Sequence, residues 1–556
     1  MRPPISHNSY PLEATRPAGE YPAAGHPIPS NSNAGTNHVP SSSTPVSSSA
    51  IPIQLQKPVG FGDQEGLYSA EEHKNSSNTL PQKRGRISRN KHGFDPRQFV
   101  RKDTPWMPPV TTASGKVFLL GWVFILLGYG VIGRGFANLG FAPFYVGEIV
   151  LSVGLLAMLR SGSLGKLFTF PVSKMLGAFV VWSLLMTLPQ IPEYGVFALR
   201  DGALWGYSLF GLIVASMMVS SPAVFRWILL RYRTFCVVFL ALAWLMFVVM
   251  TSEVAKGFKL PGSSVDFFES KGGDLLVHLS GIAAFIAVGM SRQRWIFVPL
   301  LLFNLAILLI SKRAGMLAFG AAFILLLVLN PPKMKLSAIV FACMFSTTAI
   351  LLINPKIDLG HGRIISVEQL TDNVVSTFDN SASSTLETTK SWRLDWWSDI
   401  IGYTFGGRHF LFGKGYGINL ATDDGYQVLG DDALRSPHNA HMNVLARSGV
   451  VGFGLWLAVH LTWFFSLFKA CIEARRRSMP NWHGIFAFLL AYWSAFMVNA
   501  SFDVFLEGPM GGIWLWSVIG FGIGALHLYK TQPEMGLDHI PVVVRHHVIK
   551  PEGTVS

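Results

Sequence analysis

The stretch HNAHMNVLARSGVVGFGLWLAVHLTWFFSLF, residues 438–468, decides the fold of this chain because a hydrophilic segment turns into an apolar one within it. Its first part carries His438 and Asn439, and its second part is long enough to cross a hydrocarbon layer of about 30 Å. Gly449 and Gly452 stand three apart where the apolar run begins, and this spacing lets a helix start close against a neighbour. The stretch therefore predicts a membrane helix that begins directly after a histidine-bearing loop.

The composition of the whole chain agrees with a membrane protein. Of its 556 residues 50% are hydrophobic and 14% are charged, and the mean hydropathy is +0.38 although the first hundred residues are polar. These values lie outside the usual range of soluble proteins. No removable signal peptide is recognisable at Met1, so we expect the first apolar run to act as the insertion signal. The three cysteines lie in or next to apolar runs, and none predicts a disulfide framework.

Twelve apolar runs are long enough to be membrane helices. They lie near 116–133, 142–159, 173–189, 203–219, 234–250, 274–290, 295–310, 314–330, 336–353, 449–468, 485–502 and 511–529. We predict an all-α integral membrane protein with about twelve transmembrane helices. The expected organisation is a disordered tail, spans one to nine, a large loop, spans ten to twelve and a second tail, at residues 1–110, 111–353, 354–448, 449–530 and 531–556.

The distribution of basic residues predicts the orientation. If the amino-terminal tail is cytoplasmic, the short inner loops hold twelve Lys or Arg and one acid, whereas the short outer loops hold seven of each. Both termini are therefore expected in the cytoplasm and the loop 354–448 in the periplasm. The segment 83–102 has eight Lys or Arg against one acid, and the net charge is +13. We interpret this charge as contact with membrane lipid rather than nucleic acid, because the tail lacks interleaved aromatics.

Basic residues on the outer side run against this bias and need a reason. Arg134, Arg200 and Arg313 stand at the outer ends of apolar runs. Arg at membrane depth costs about 2.5–3.5 kcal/mol on insertion scales, so such residues tend to be functional or paired. The planar fork of Arg matches phosphate oxygens, and several together would suit a diphosphate. The alternative is snorkelling or pairing, for Arg200 with Asp201 or Glu193.

The large loop carries further candidates. We predict an amphipathic interfacial helix over 391–403, with an apolar face of Leu394, Trp397, Ile400 and Ile401. On it Arg393 could contact a phosphate or sugar, and Trp397, four residues on, could anchor the helix or stack on a sugar ring.

Buried acids form another set of candidates. Glu148 lies inside the second span, about one and a half turns from its outer end, and Asp274 and His278 share one face of the sixth. Each of these residues could line a polar cavity or serve as a structural hydrogen-bonding group.

Metal and cofactor sites are poorly supported by the sequence. His438 and His441 form a His-x-x-His pair, but we find no third ligand at helical spacing. The turn Gly413–Gly417 alternates glycines, but it lacks the strand, helix and Gly-Lys-Ser/Thr pattern of a nucleotide site. No Gly-x-Ser-x-Gly motif occurs, and no cysteine lies outside the membrane zone. We expect no cofactor and no metal.

Several motifs in order resemble one family. They are Arg313 within Ser-Lys-Arg-Ala-Gly, Arg393-x-x-x-Trp397, the turn 412–417, and His438-Asn439 followed after nine residues by Gly449-x-x-Gly452. Together with twelve predicted spans and the long loop between the ninth and tenth, this pattern is similar to the O-antigen ligase and polymerase superfamily of bacterial cell envelopes. The resemblance covers about residues 116–530.

The resemblance implies a function. Such proteins transfer a glycan from undecaprenyl diphosphate to a sugar hydroxyl, or in some branches a protein hydroxyl, outside the inner membrane, without metal or nucleotide. His438 would then act as the base and Arg313 as the second catalytic residue. Substrate binding would involve Glu148, Arg200, Arg393, Trp397 and Asn439. The expected partners are a lipid-linked glycan donor, a glycan or lipid A–core acceptor, and chain-length regulator and flippase proteins.

Two alternatives stay open. Ligases and polymerases share the histidine motif; the stretch 143–148 and the turn Glu507-Gly508-Pro509 look more like exopolysaccharide polymerases, which we favour over ligases. A transporter or flippase would predict inverted repeats with broken helices at matching positions. We find no clear internal repeat, and a loop of this length on one side fits a transporter poorly.

Overall fold

The computed structural model describes residues 106–141, 143–251, 258–260, 266–290, 294–308, 313–331, 357–358, 364–365, 384–428 and 434–535. The predicted tails 1–110 and 531–556 lie almost entirely outside these residues. Where it is described, the chain is mostly helical, as predicted.

The longer helices are α1 (Ala113–Val131), α3 (Val146–Arg160), α5 (Pro171–Thr187), α7 (Val196–Gly206), α8 (Leu209–Ser220), α9 (Ala223–Thr251), α10 (Gly272–Ala287), α11 (Arg294–Leu308), α12 (Arg313–Leu329), α13 (Ser384–Phe405), α15 (Ala440–Arg476), α16 (Pro480–Ala500) and α17 (Pro509–Thr531). The one-turn helices are α2 (Arg134–Ala137), α4 (Leu164–Leu167), α6 (Ile191–Tyr194) and α14 (Leu420–Asp423), and 3₁₀ turns cover Leu188–Gln190 and Pro533–Met535. Two antiparallel hairpins pair β1 (Gly140–Phe141) with β2 (Phe144–Tyr145), and β3 (Ile357–Asp358) with β4 (Ile364–Ile365).

Six described helical segments are long and apolar enough to cross a membrane: α1, Pro171–Tyr194 (α5 with the following 3₁₀ turn and α6), α9, α15, α16 and α17. A seventh crossing results if α7 and α8, which meet at a bend of 43°, form one broken span. Helices α10, α11 and α12 are apolar but shorter. The predicted run 336–353 lies outside the described residues. The expected total of twelve spans therefore stays a prediction.

Packing between the helices buries a large aromatic core. Helices α10, α12 and α16 pack against one another, α15 packs against α5 and α16, and α17 packs against α8. Trp456, Trp463, Trp482 and Trp516 are fully buried in this core. Burial of such large side chains stabilises helix contacts mainly through dispersion, because hydrocarbon solvent gives no hydrophobic drive. One end of this bundle, where α10 and α17 begin and α16 ends, is called here the His438 end.

Helix α15 begins earlier than the predicted span. It starts at Ala440, and Gly449 interrupts it with φ of 63° and ψ of −168°, which is a kink between two helical pieces. A Cβ at Gly449 would lie 2.4 Å from the carbonyl oxygen of Leu411, so the backbone of the preceding loop touches the kink. Only glycine suits both the positive φ and this contact. The predicted start at 449 thus coincides with the kink rather than with the helix terminus.

Helix α13 and its surroundings form a second, smaller core outside the main bundle. The helix predicted over 391–403 is present, but its apolar face is different from the predicted one. Trp396 and Ile400 are fully buried, whereas Leu394 and Ile401 are 50% and 44% exposed. Trp396 and Ile400 belong to the smaller core together with Ala446 of α15, so the face covered by protein shares only Ile400 with the predicted one. That the predicted face lies at the membrane interface stays a prediction.

Candidate functional site

His438 lies in a segment that is held from both sides. The indole Nε1 of Trp397 donates to the carbonyl oxygen of Pro437 at 2.8 Å. Asn439 caps α15, since its Oδ1 accepts from the backbone N–H groups of His441 at 2.9 Å and Met442 at 3.2 Å. Between these two anchors His438 takes a φ of +53°, a conformation that is uncommon outside glycine. Such backbone strain persists only where the surroundings fix it.

The side chain of His438 faces a carboxylate that was not among the residues selected from the sequence. Its Nδ1 lies 3.9 Å from Oδ1 of Asp503, and both side chains are only about a quarter exposed. This distance is that of an ion pair rather than a hydrogen bond. The ring also meets Trp392 edge-on, with centroids 6.5 Å apart.

Asp503 is the centre of a small cluster of charges. Nζ of Lys271, which directly precedes α10, lies 2.5 Å from Oδ1 of Asp503. Burial by itself would raise the pKa of Asp503, but the contacts with His438 and Lys271 outweigh it, so that the pKa is well below its usual range. The carboxyl is therefore charged at neutral pH and offers a fixed negative charge to the imidazole.

Arg393 reaches the same turn from α13. Its Nη1 donates to the carbonyl oxygen of Phe502 at 3.3 Å, and its Nε is buried without a hydrogen-bond partner in the described part of the chain. Burial lowers the pKa of Arg393, while the charge of Asp503 acts in the opposite direction. Two residues predicted from the sequence, His438 and Arg393, are thus brought together through one turn between α16 and α17.

Arg313 is the first residue of α12, and its side chain lies outside the described atoms. The backbone two residues later packs closely against α10, since a Cβ on Gly315 would lie 3.0 Å from Cα of Gly273. Gly273 is in the first turn of α10, two residues after Lys271. The start of α12 therefore packs at the His438 end, next to the Lys271–Asp503 pair.

Arg200 and its neighbour have different environments. The carboxylate of Asp201 is bound by Arg435 and Arg447, each at 3.0 Å, and it also accepts from the backbone N–H of Gly417 at 3.1 Å. Arg200 itself is exposed. Its charge is close enough to interact with those of Asp201, Arg435 and Glu507. The sequence left open that Asp201 pairs with Arg200. In the structure the carboxylate of Asp201 instead binds the guanidinium groups of Arg435 and Arg447.

Arg134 is paired with an acid, which was the alternative to a functional role. Its Nη1 lies 3.0 Å from both carboxylate oxygens of Glu269, and its backbone N–H donates to the carbonyl oxygen of the same residue. This arginine is therefore paired, in a contact that ties α2 to the segment before α10.

Arg447 is the most deeply buried charged side chain of the region, with 1% exposure. Besides Asp201, its guanidinium donates to Oδ1 of Asn443 at 2.9 Å. It also donates at 3.2 to 3.4 Å to the backbone carbonyl oxygens of Gly415, Ile418 and Arg435. The rigid fork of Arg can serve all these acceptors at once, which Lys cannot. Arg447 thereby joins α7, the glycine turn and the segment before His438.

Glu148 stands in the first turn of α3, closer to the helix start than the sequence indicated. Its Oε1 accepts from the hydroxyl of Tyr207 at 2.6 Å, while Oε2 is buried without a partner in the described residues. A Cβ on Gly512 would lie 2.9 Å from the Tyr207 ring, so this pair abuts the first turn of α17. Glu148 is thus placed beside the start of α17, and its hydrogen bond is to Tyr207 rather than to His438.

Asp274 and His278 each bond to α16 rather than to each other. Oδ1 of Asp274 accepts from Asn499 at 3.2 Å, and Nδ1 of His278 lies 2.7 Å from the hydroxyl of Tyr492. Both contacts join α10 to α16. Asp274 and His278 therefore act as structural hydrogen-bonding groups, which was one of the two alternatives from the sequence.

The His-x-x-His pair does not converge. Nδ1 of His441 accepts from Nε1 of Trp456 at 3.2 Å, whereas His438 faces Asp503. Within the described part of the chain, no group of three or more His, Cys, Asp or Glu side chains could hold a metal ion.

Sequence reasoning missed Lys271, Asp503 and Arg447. Asp503 and Lys271 lie in short outer loops that were counted only for their charge. The signal that could have found them is an acid or base directly next to the end of an apolar run. Arg447 lies within the spacing between His438 and Gly449, where a charged residue just before an apolar run could have been singled out.

The comparisons with known proteins point to one family. Residues 297–457 match the family model described as O-antigen ligase. This region contains five of the seven residues selected from the sequence, namely Arg313, Arg393, Trp397, His438 and Asn439. No curated protein matched the chain. The matched residues are similar to the O-antigen ligase family, and together with the apolar helices they support a multi-pass membrane protein of the O-antigen ligase and polymerase superfamily.

Proposed function

We propose that this protein is a membrane glycosyltransferase that transfers or polymerises a glycan carried on undecaprenyl diphosphate, at the periplasmic face of a bacterial inner membrane. The observation that carries the proposal is the pairing of His438 with Asp503 inside the cluster formed with Lys271 and Arg393. All four residues belong to the cluster. His438 and Arg393 lie within the residues that match the family, and Asp503 and Lys271 lie outside them.

His438 supplies the base in this mechanism. Because Nδ1 faces Asp503, Nε2 is the atom that would accept the proton of the acceptor hydroxyl as its oxygen attacks the anomeric carbon. The charged carboxylate of Asp503 stabilises the imidazolium that forms, as in other His–Asp pairs. The distance of 3.9 Å is longer than a hydrogen bond, and catalytic contacts commonly tighten when substrate binds.

The departing lipid diphosphate requires positive charge. The bond from the anomeric carbon to the diphosphate oxygen breaks as the new glycosidic bond forms, and a single displacement of this kind inverts the anomeric configuration. Arg313, Arg200 and Arg393 are the groups proposed to stabilise the developing charge. This role for Arg200 is supported by two observations. Its side chain is exposed, and the neighbouring carboxylate of Asp201 is bound by Arg435 and Arg447. As the resemblance implies, the proposed reaction uses neither a metal ion nor a nucleotide.

The remaining predicted residues have more limited roles in the proposal. Trp397 and Asn439 hold the segment of His438 through their contacts with Pro437 and with the first turn of α15. Glu148 is proposed to bind substrate only if the Tyr207 contact opens, since that hydrogen bond is 2.6 Å.

Replacement of the histidine tests the proposal. Membranes containing His438→Ala or His438→Gln should form glycan product at a rate reduced by roughly 10²- to 10⁴-fold, the usual contribution of a general base. His527→Ala, at the opposite end of the bundle, is the matched control and should retain activity. Equal rates for His438→Ala and wild type, at equal amounts of inserted protein, would show that the assignment is wrong.

The product decides between polymerase and ligase. A polymerase leaves a lengthened glycan on the isoprenoid diphosphate, whereas a ligase moves it to lipid A–core. We favour the polymerase and expect lengthened lipid-linked chains when donor alone is supplied. Formation of product only after addition of lipid A–core would instead establish a ligase. Chain-length regulator and flippase proteins are proposed partners, and co-purification with this chain is the measurement that tests them.

A further inference from the structure

A cavity of about 330 Å³ lies between α1, α9, α16 and α17. It extends from the end opposite the His438 end, where α9 begins and α17 ends, toward the middle of the bundle. Its lining on α9 runs from Ile228 to Val238, which is roughly 15 Å of helix. Most of the side chains that line it are aromatic or aliphatic. An elongated apolar space of this size can hold a ligand and is called here the Arg231 cavity.

Four neutral polar groups of the cavity wall are bonded within the protein. The hydroxyl of Thr234 donates to a backbone carbonyl of α9 at 3.2 Å. The hydroxyl of Ser517 donates to a backbone carbonyl of α17 at 2.6 Å and accepts from the indole of Trp122 at 2.8 Å. The indole of Trp514 donates to a backbone carbonyl of α1 at 3.1 Å. Such a wall suits a hydrocarbon chain rather than a sugar, whose hydroxyl groups would need partners.

Arg231 is the only charged side chain among the described residues that line this cavity. It stands about two turns inside α9 and is only 7% exposed. Its guanidinium lies 3.9 Å from the ring centroid of Trp106 and 5.7 Å from that of Trp227. Cation–π contacts of this kind hold a guanidinium in place and leave its positive charge intact. A fixed positive charge therefore stands near one end of a largely apolar cavity.

The segment 106–109 is fixed next to Arg231. The indole Nε1 of Trp227 donates to the carbonyl oxygen of Trp106 at 3.3 Å, and Oγ of Ser221 donates to that of Pro109 at 2.6 Å. The side chain of Trp106 is nevertheless 57% exposed. Tryptophan is enriched where a membrane meets water, because its ring is apolar and its N–H group is polar. The pair of Trp106 and Arg231 is thus the arrangement expected at the level of lipid head groups.

We propose that the Arg231 cavity binds one anionic phospholipid, whose phosphate contacts the guanidinium of Arg231 and one of whose acyl chains occupies the apolar part. The planar fork of Arg matches phosphate oxygens. A zwitterionic lipid would also bring an ammonium group, and the described lining holds no carboxylate to receive it. Arg226 and Arg233, on neighbouring turns of α9, add positive charge that attracts an anionic lipid.

This lipid site is separate from the proposed site of glycan transfer. Arg231 stands near the start of α9, at the end of the bundle opposite the turn that carries Asp503 and faces His438. The lipid would act as a bound structural component and takes no part in the proposed reaction. Its binding can therefore be measured without any glycan donor, and the result does not depend on the role of His438.

The first experiment uses phosphatidylglycerol with a diazirine in one acyl chain, added to the full-length protein in phosphatidylethanolamine vesicles. After illumination, label in peptides of α9 and α16 is expressed relative to label in α5, whose Val181 and Leu185 are exposed to surrounding lipid. Phosphatidylcholine with the same chains should give about fivefold less relative label, and so should Arg231→Gln with phosphatidylglycerol. Arg477→Gln removes an exposed arginine at the same end and should match wild type.

The second experiment fills the cavity and leaves its charge unchanged. Val238 lines the apolar part, whereas its neighbour Val237 is 48% exposed and lies outside the lining. Val238→Phe should lower the relative label from phosphatidylglycerol by about fivefold, because the added ring occupies the space of the acyl chain. Val237→Phe adds the same ring outside the cavity and should match wild type. Thermal unfolding in detergent checks that both variants are folded.

Three results would overturn the proposal. The first is equal relative label from phosphatidylglycerol and phosphatidylcholine in wild type. The second is wild-type label in Val238→Phe. The third is displacement of the label by unlabelled undecaprenyl phosphate at a lower concentration than by unlabelled phosphatidylglycerol, which would assign the cavity to an isoprenoid. If Arg231→Gln does not insert into membranes, the comparison of head groups in wild type and the two valine variants decide the matter by themselves.

Discussion

Nδ1 of His438 lies 3.9 Å from Oδ1 of Asp503, and the same oxygen is bound by Lys271. The two residues come from the end of the large loop and from the turn between α16 and α17. We propose that the carboxylate orients the imidazole and leaves Nε2 as the nitrogen that acts as the general base. Lys271 prevents Asp503 from taking up a proton and so keeps that orientation over a wide range of pH.

Removal of the charge of Asp503 should reduce activity without unfolding the protein. Asp503→Asn keeps the size of the side chain but gives the imidazole no negative charge to face, so we expect the rate to fall by roughly 10²-fold. Asp399→Asn is the matched control, because Asp399 is an exposed residue of α13 bonded to Tyr426. A variant of Asp503 with the wild-type rate would contradict the orienting role.

The stabilising effect of Asp503 should not depend on pH in the neutral range. Its pKa is lower in the folded protein, so its contribution is fully present above the ordinary pKa of Asp and is lost only as pH falls through the folded value. Measured in a His438→Gln background, where no imidazole faces the carboxyl, the change in melting temperature caused by Asp503→Asn should therefore be constant from about pH 6 to pH 8. A difference that changes across this interval would show that the carboxyl is not charged throughout it.

The fork of Arg447 should matter as well as its charge. Arg447→Lys leaves several buried carbonyl oxygens and part of the Asp201 contact unsatisfied, and we expect a loss of about 3 kcal/mol in the free energy of unfolding. Proteolysis of the region 405–435 should become faster. Arg477→Lys, in an exposed pair with Glu473 at 2.7 Å, is the control and should change stability by less than about 0.5 kcal/mol. Equal stability of the two variants would contradict the structural role.

The kink of α15 should tolerate only glycine. Gly449→Ala places a Cβ 2.4 Å from the carbonyl oxygen of Leu411 and forces an unfavourable positive φ, so the free energy of unfolding should fall by more than about 2 kcal/mol. Gly454→Ala, in the same helix with open space around it, should be neutral or stabilising by up to about 1 kcal/mol. Thermal unfolding in detergent compares the two, and a similar change in both would exclude the kink as a constraint.

Asn439 was selected from the sequence as a substrate-binding residue, and the structure gives it a capping role. Asn439→Ala should cost about 1 kcal/mol in stability, because two N–H groups of α15 lose their acceptor. Asn439→Ser keeps an acceptor and should retain both stability and activity. Loss of activity with retained stability in Asn439→Ser would instead favour direct contact with substrate.

Much of the helical framework could be predicted from the sequence, since apolar runs of sufficient length form helices wherever they enter a membrane. The helix over 391–403 was also predictable, but its buried face was not. Leu394 and Ile401 are as apolar as Ile400, and only the position of α15 decides that Trp396 and Ile400 are covered. The start of α15 was placed at its kink because the apolar run begins there, while the capping contact of Asn439 lies outside that run.

The local sequence by itself determined which of the described segments are apolar helices and that His438 stands just before one of them, because hydrophobicity and helical period are properties of neighbouring residues. The tertiary structure alone decided which charges meet. Lys271, Arg393, His438 and Asp503 come from four distant parts of the chain, and no spacing between them records their contact. Hydrogen bonds and ion pairs act over a few ångströms, so their partners are chosen by the packing of the helices that carry them.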